Sequence, residues 1–214
     1  MPKTHLIFAT DFEAKPLIKD LKAVPNNSGL NYYETSKFNI LISGVGLITS
    51  AATSRAYFES SVSTGDRVIN CGIAGAINTE LSLYGVYEIS SIDLYDPRSF
   101  AEPNDQRFNF YKAQHPNLNL GKSKGLDLAS SLYPIWLSED RELLREAKMD
   151  LVDMEAYSIA QVAKSFDCDF SILKSVSDFT AKESERSFLD NAQKAIESLI
   201  ENLLEKLNLP QAKA

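Results

Sequence analysis

Apolar and polar positions alternate along the chain in blocks that predict strands and helices in turn. Leu6 to Ala9 is a short apolar run and reads as a strand. Thr10-Asp11-Phe12-Glu13 then opens a helix that carries Ala14, Leu17, Ile18 and Leu21 at three- and four-residue spacing. Thr10 with Glu13 fits a capping box, and Pro16 sits early in the helix, where its missing N–H costs little. Asn31 to Thr35 and Phe38 to Ile42, parted by Ser36-Lys37, predict a hairpin. Ser43-Gly44-Val45-Gly46 leads into a helix with Ile48, Ala51, Ala52 and Ala56. Arg67 to Asn70 predicts a strand that runs into the glycine-bearing segment Cys71-Gly72-Ile73-Ala74-Gly75-Ala76-Ile77, and Val86 to Ile92 predicts another.

Asp93 to Lys122 is polar and aromatic, with Pro97, Pro103 and Pro116, and reads as one long loop. Leu126 to Leu128 predicts a short strand and Ser138 to Ala147 a charged helix. The densest stretch is 151 to 180. Leu151 and Val152 deliver two acids, Asp153 and Glu155, around Met154; a helix pattern follows at Ala156, Ile159, Ala160 and Ala163. Phe170 to Leu173 reads as a buried strand with Lys174, Ser177 and Asp178 at its end. Ser187 to Leu207 closes the chain as an amphipathic helix, capped by Ser187 and Asp190. Strands and helices in alternation predict an α/β fold with a central mixed sheet, and such sheets bind ligands at strand ends.

Composition narrows the function classes. The 214 residues fit one domain, 1–214, and 44% hydrophobic with 24% charged content is that of an ordinary globule. The net charge of -7 without a basic cluster argues against nucleic acid or an anionic membrane as partner. No apolar run approaches the ~20 residues of a membrane span, and the N-terminus runs into a strand without a signal-peptide core. Cys71 and Cys168 have no metal-ligand spacing, so they read as reduced core residues of a cytoplasmic protein. No metal site or organic cofactor is indicated. His5 and His115 stand near no partner motif, which leaves acid–base work to carboxylates.

Each candidate also has an ordinary structural reading. Acids at a helix start are commonly caps, Glu13 is accounted for by its capping box, and a lone Gly-x-Gly is commonly a tight turn. The combination is what stands out. Asp153-Met154-Glu155-Ala156, followed by Ser175-Val176-Ser177-Asp178, resembles the signature of the nucleoside phosphorylase/nucleosidase family. Within it the chain looks most like the methylthioadenosine/S-adenosylhomocysteine nucleosidases and the futalosine hydrolases. Glu13 in its turn, Ser43-Gly44-Val45-Gly46 and Asn70-Cys71-Gly72-Ile73-Ala74-Gly75 extend the likeness. It is poor between 90 and 150.

The resemblance implies a three-layer α/β/α domain, phosphorylase/hydrolase-like, with its mixed sheet curled into a partial barrel. It also implies a homo-oligomer, with a dimer favoured. Asp178 would be the acid at purine N7, oriented by Ser177, and Glu13 would position or deprotonate the attacking water. Glu155 and the Met154 backbone would hold the ribose hydroxyls, with Gly44, Gly72 and Ile73 lining the substrate site. Phe188 would be the aromatic against the base, with Tyr133 and Trp136 as alternatives. Family phosphorylases carry an arginine where this chain has Asn70, and a serine or threonine where it has Ile73, so hydrolysis is expected. An apolar residue at this loop position resembles the futalosine hydrolases, which keeps the 5′ group open. Lys174 stands where the family usually has arginine, and an ion pair with Glu155 is expected. The implied function is hydrolysis of the N-glycosidic bond of a purine nucleoside. A 5′-modified adenosine is the first substrate class and futalosine the second; a phosphorylase and a non-catalytic nucleoside-binding protein are the remaining alternatives.

Overall fold

The computed structural model describes residues 2–102, 104, 106–121, 124–180 and 185–209. The elements in chain order are β1 (Thr4–Phe8), α1 (Asp11–Leu21), β2 (Val24–Pro25), β3 (Tyr32–Glu34), β4 (Phe38–Ile42) and α2 (Leu47–Ser61). Then come β5 (Arg67–Ala76), β6 (Val86–Leu94), α3 (Pro97–Ala101), α4 (Gln106–Gln114), β7 (Leu118–Asn119), β8 (Leu126–Ser130) and α5 (Ser138–Glu146). The chain finishes with β9 (Leu151–Asp153), α6 (Ala156–Ala163), β10 (Asp169–Asp178) and α7 (Glu185–Lys206). Among the described residues no helix is long and apolar enough to cross a membrane.

The sheet is mixed. β1 lies parallel to both β4 and β5, β10 is parallel to β5, and β3–β4, β5–β9 and β6–β10 are antiparallel. The pairings β5–β10–β6–β8–β9–β5 close a ring, from which β1, β4, β3 and β2 extend as an open arm. β5 makes this possible. Over its ten residues it pairs first with β1 and β10 and then, at Gly75 and Ala76, with β9.

Successive strand residues point to opposite faces, and the arm shows this directly. Leu6, Phe8, Ile40, Ile42, Ile69 and Leu173 pack with Ala14 and Leu17 of α1 and with Ile196, Leu199 and Leu203 of α7. Ile7, Leu41 and Val68, one residue out of phase, pack with Tyr57 and Phe58 of α2 and with Ile159 and Ala163 of α6.

Several expectations need correction. The 93–122 stretch is not one loop. It contains α3, α4 and β7, with Asp96 capping Ser99 N–H and Pro97 in the first turn of α3, where proline suits a helix. α7 starts at Glu185, so Ser187 is not its cap. α2 buries Ser50, Ser54, Tyr57 and Phe58 and turns Ile48 outward at 79% exposure.

His5 has partners after all. On the α2 face of the arm, its Nδ1 is 2.8 Å from the Tyr57 hydroxyl and its Nε2 3.1 Å from Asp66 Oδ2. Asp66 also accepts from Lys3 N–H at 2.7 Å and Ser63 N–H at 2.8 Å. Burial pushes the imidazole below its ordinary pKa of 6.5. The unfolded chain therefore takes the proton first as pH falls, and stability is lost below about 6.5, by about 1.4 kcal/mol per unit of difference. The urea midpoint of His5→Gln should accordingly fall less between pH 7 and 5 than that of the wild type. Equal slopes would mean that the folded protein protonates His5 as readily as the unfolded chain does.

Candidate functional site

The C-terminal ends of β1, β5 and β10 lie side by side, with β9 closing one flank. Between them is a cavity of about 580 Å³ whose lining includes Glu13, Ile73, Met154, Glu155, Ser177 and Asp178. Three carboxyls remote along the chain thus meet in one space.

Glu13 is brought there by its cap. Thr10 Oγ1 accepts from Glu13 N–H at 3.2 Å, and Glu13 Oε2 accepts from Thr10 N–H at 3.0 Å and from the Thr10 hydroxyl at 2.9 Å. Oε1 accepts from Ile73 N–H at 3.1 Å, which ties the carboxylate to β5. The capping box and the site residue are therefore the same group. Gly72 sits behind it, since a Cβ there would lie 2.9 Å from Glu13 Oε1.

β9 ends in a turn that sends its two acids different ways. Glu155, 8% exposed, accepts from Gly46 N–H through Oε1 at 2.8 Å. Asp153 also lines the cavity, and its Oδ2 meets Lys174 Nζ at 2.7 Å. Its Oδ1 accepts from the Ser130 hydroxyl at 2.5 Å and its Oδ2 from Ala156 N–H at 3.0 Å, so Asp153 serves the open first turn of α6. The expected Lys174–Glu155 ion pair is thus a Lys174–Asp153 pair. The turn after Asp153 aims Glu155 at the start of α2 instead.

Burial, then Asp153, push Glu155 up to about 7 against the pull of Lys174 and Gly46 N–H. For Lys174, 2% exposed, burial opposes the charge, but Asp153, Glu155 and Glu13 outweigh it and lift the ammonium above its ordinary range. One buried cation serves three acids.

Asp178 ends β10. The register with β5 slips between Val176 and Asp178, a bulge at Ser177 that re-aims the acid toward the cavity. The Ser177 hydroxyl donates to Oδ1 at 2.7 Å, and Thr180 N–H donates to Oδ2 at 2.8 Å.

Not every predicted residue lines the cavity. Gly44 does not, and neither do Gly72, Tyr133 or Trp136. Gly44 instead has φ +83 and faces Thr49, whose Cγ2 a Cβ would approach to 2.5 Å. The Phe188 side chain lies outside the described residues. Phe12, 46% exposed, does line the cavity. Its place one residue before Glu13 in the capped turn was the available clue. Gly46 and Asp153 were likewise present in the quoted motifs without a role.

Residues 132–206 match the family model of the Phosphorylase superfamily. The 5′-methylthioadenosine/S-adenosylhomocysteine nucleosidase of Psychromonas ingrahamii is 27% identical over 96% of this chain and 100% of its own length. That of Bacillus licheniformis is also 27% identical, over 83% and 84%. The fold matches that of the Neisseria meningitidis 5′-methylthioadenosine/S-adenosylhomocysteine nucleosidase in complex with methylthio-immucillin-A. Here the TM-score is 0.78, with 19% identity over 97% of this chain and 99% of the other. The Helicobacter pylori futalosine hydrolase gives 0.74, with 19% identity over 97% of both. A model match over the block that carries Asp153 to Asp178, relatives aligned over 96% and 83% of the chain and a shared fold make this chain similar to the nucleoside phosphorylases and nucleosidases.

Proposed function

We propose that the protein is a purine nucleosidase. It hydrolyses the N-glycosidic bond of a 5′-modified adenosine such as methylthioadenosine or S-adenosylhomocysteine and releases the free base. The observation that carries the reading is the meeting of Glu13, Glu155 and Asp178 at one cavity of about 580 Å³, in the range of small-molecule sites.

Breaking the bond to C1′ leaves positive charge on the sugar and negative charge on the departing purine. Asp178 gives its proton to purine N7, with Ser177 and Thr180 N–H holding the carboxyl in place. Glu155 and the Met154 backbone accept the ribose hydroxyls, which fixes the ring. Glu13, anchored at both oxygens, takes a proton from water as its oxygen bonds C1′ and the bond to the base breaks. Because Glu155 must be ionised to accept two hydroxyls, activity should fall as pH drops through about 7.

Two features favour water over phosphate. Ile73 presents an apolar side chain to the cavity, and among the described residues no lysine or arginine lines it. Asn70 is spent inside the sheet, donating to the Ile7 carbonyl at 3.1 Å. Phosphate would need charged donors there. Ile73 also supports a second reading, hydrolysis of futalosine.

We read residues 1–214 as one domain with three α/β/α layers; the division of the arm's side chains between α1–α7 and α2–α6 supports this. We also read it as a cytoplasmic homodimer. Its two cysteines are free, and Phe12, Val45 and Leu189 leave exposed apolar surface where the cavity opens, suited to a neighbouring subunit.

The test is a panel of 5′-modified adenosines, futalosine and unmodified nucleosides, with and without phosphate, followed by chromatography of the free base. Equal adenine release in both conditions is expected. Release only with phosphate would make the protein a phosphorylase, and binding without release would make it a sensor.

A further inference from the structure

Thr180, two residues past Asp178, has φ 53. Left-handed backbone is uncommon for any residue with a Cβ and a true outlier for a β-branched one. Four contacts hold it. Its N–H donates to Asp178 Oδ2 at 2.8 Å, and its hydroxyl lies 2.8 Å from the Phe179 carbonyl and 3.4 Å from the Ala76 carbonyl. Its carbonyl accepts from Arg141 Nη1 at 2.7 Å. Arg141 projects from α5, and the same nitrogen is 3.4 Å from the Trp136 carbonyl, in the segment that gives Pro134 and Ile135 to the cavity wall. One guanidinium therefore joins two walls of the site without entering the cavity.

We infer that Arg141 is a positioning residue for Asp178. By gripping the Thr180 carbonyl it keeps Thr180 left-handed and its N–H on the Asp178 carboxyl. Left alone, a threonine would relax to the extended or right-handed region, turning that N–H away and freeing the carboxyl to rotate. The inference rests on the reading of Asp178 as the acid.

A tether that merely secured α5 would also cost stability when cut, so the test turns on glycine, which enters the left-handed region without steric cost. Arg141→Ala, Thr180→Gly and the double variant are compared by hydrogen exchange of the amide at position 180 and by kcat and KM for base release. Arg141→Ala should speed that exchange about 10-fold. Its kcat should fall about 10-fold with KM held within about 2-fold, as for a misplaced catalytic group. The double variant should return in both measurements to within about 3-fold of Thr180→Gly alone. An amide equally protected in Arg141→Ala, or a loss of kcat that glycine does not restore, would overturn the inference. Should the wild type release no base from any nucleoside while the exchange pattern appears, the clamp stands and the reading of the reaction fails.

Discussion

Asp178→Asn should lower kcat for base release by about 10²- to 10⁴-fold, the usual contribution of a positioned acid, while the fold and nucleoside binding persist. The local geometry says why the fold survives. The carboxyl accepts two hydrogen bonds, from the Ser177 hydroxyl and Thr180 N–H. An amide keeps one acceptor, which can stay on Thr180 N–H. Its NH2 would then face Ser177, whose oxygen can accept while its hydrogen turns to the Ala74 carbonyl, 3.3 Å away. No buried donor is orphaned, so the melting temperature should move little. On the proposed role of Asp178, what is lost is the proton for N7, which an amide cannot give. Steady-state kinetics with binding measured by calorimetry checks this. A variant within a few-fold of wild-type kcat would remove Asp178 from the acid role.

How much of this could be read from the chain depends on how local each determinant is. The α1 cap and the 32–42 hairpin lie within a few residues of their partners, and sequence spacing finds them. Asp66 is 61 residues from His5 and joins it only because β1 and β5 run in parallel, so no motif announces the pair. α2 is apolar on more than one side, which leaves periodicity unable to say that Ser50 and Ser54 face inward and Ile48 outward. Short helices between prolines, such as α3, bury too little to imprint a period on 93–122. The ring β5–β10–β6–β8–β9 requires one strand to change partners midway, a choice made by packing and invisible to a strand-by-strand reading.

The partner of Lys174 was the consequential misreading, because it decides where the buried charge is balanced. Lys174→Met keeps the length of the side chain and removes its charge, leaving Asp153 with Glu155 and Glu13 nearby and no cation among them. Breaking a buried pair from one side costs roughly 3–5 kcal/mol. For a domain of this size that corresponds to a fall in melting temperature of roughly 6–20 °C. The loss should also depend on pH. Glu155 is already raised from 4.5 to about 7, so the folded state holds its proton where the unfolded chain has released it. Stability therefore declines as pH rises through that window. Without the Lys174 charge, which pulls the Glu155 pKa down, the window extends further upward, and the deficit of the variant should grow from pH 6 to pH 8. Lys174→Met with Asp153→Asn should regain most of the stability, because an amide oxygen in the place of Oδ1 can still accept from the Ser130 hydroxyl and, at 3.3 Å, from Ala156 N–H. Thermal melts at the two pH values decide it. A shift below about 2 °C, or one equal at both pH values, would mean that the three acids are balanced by something other than Lys174.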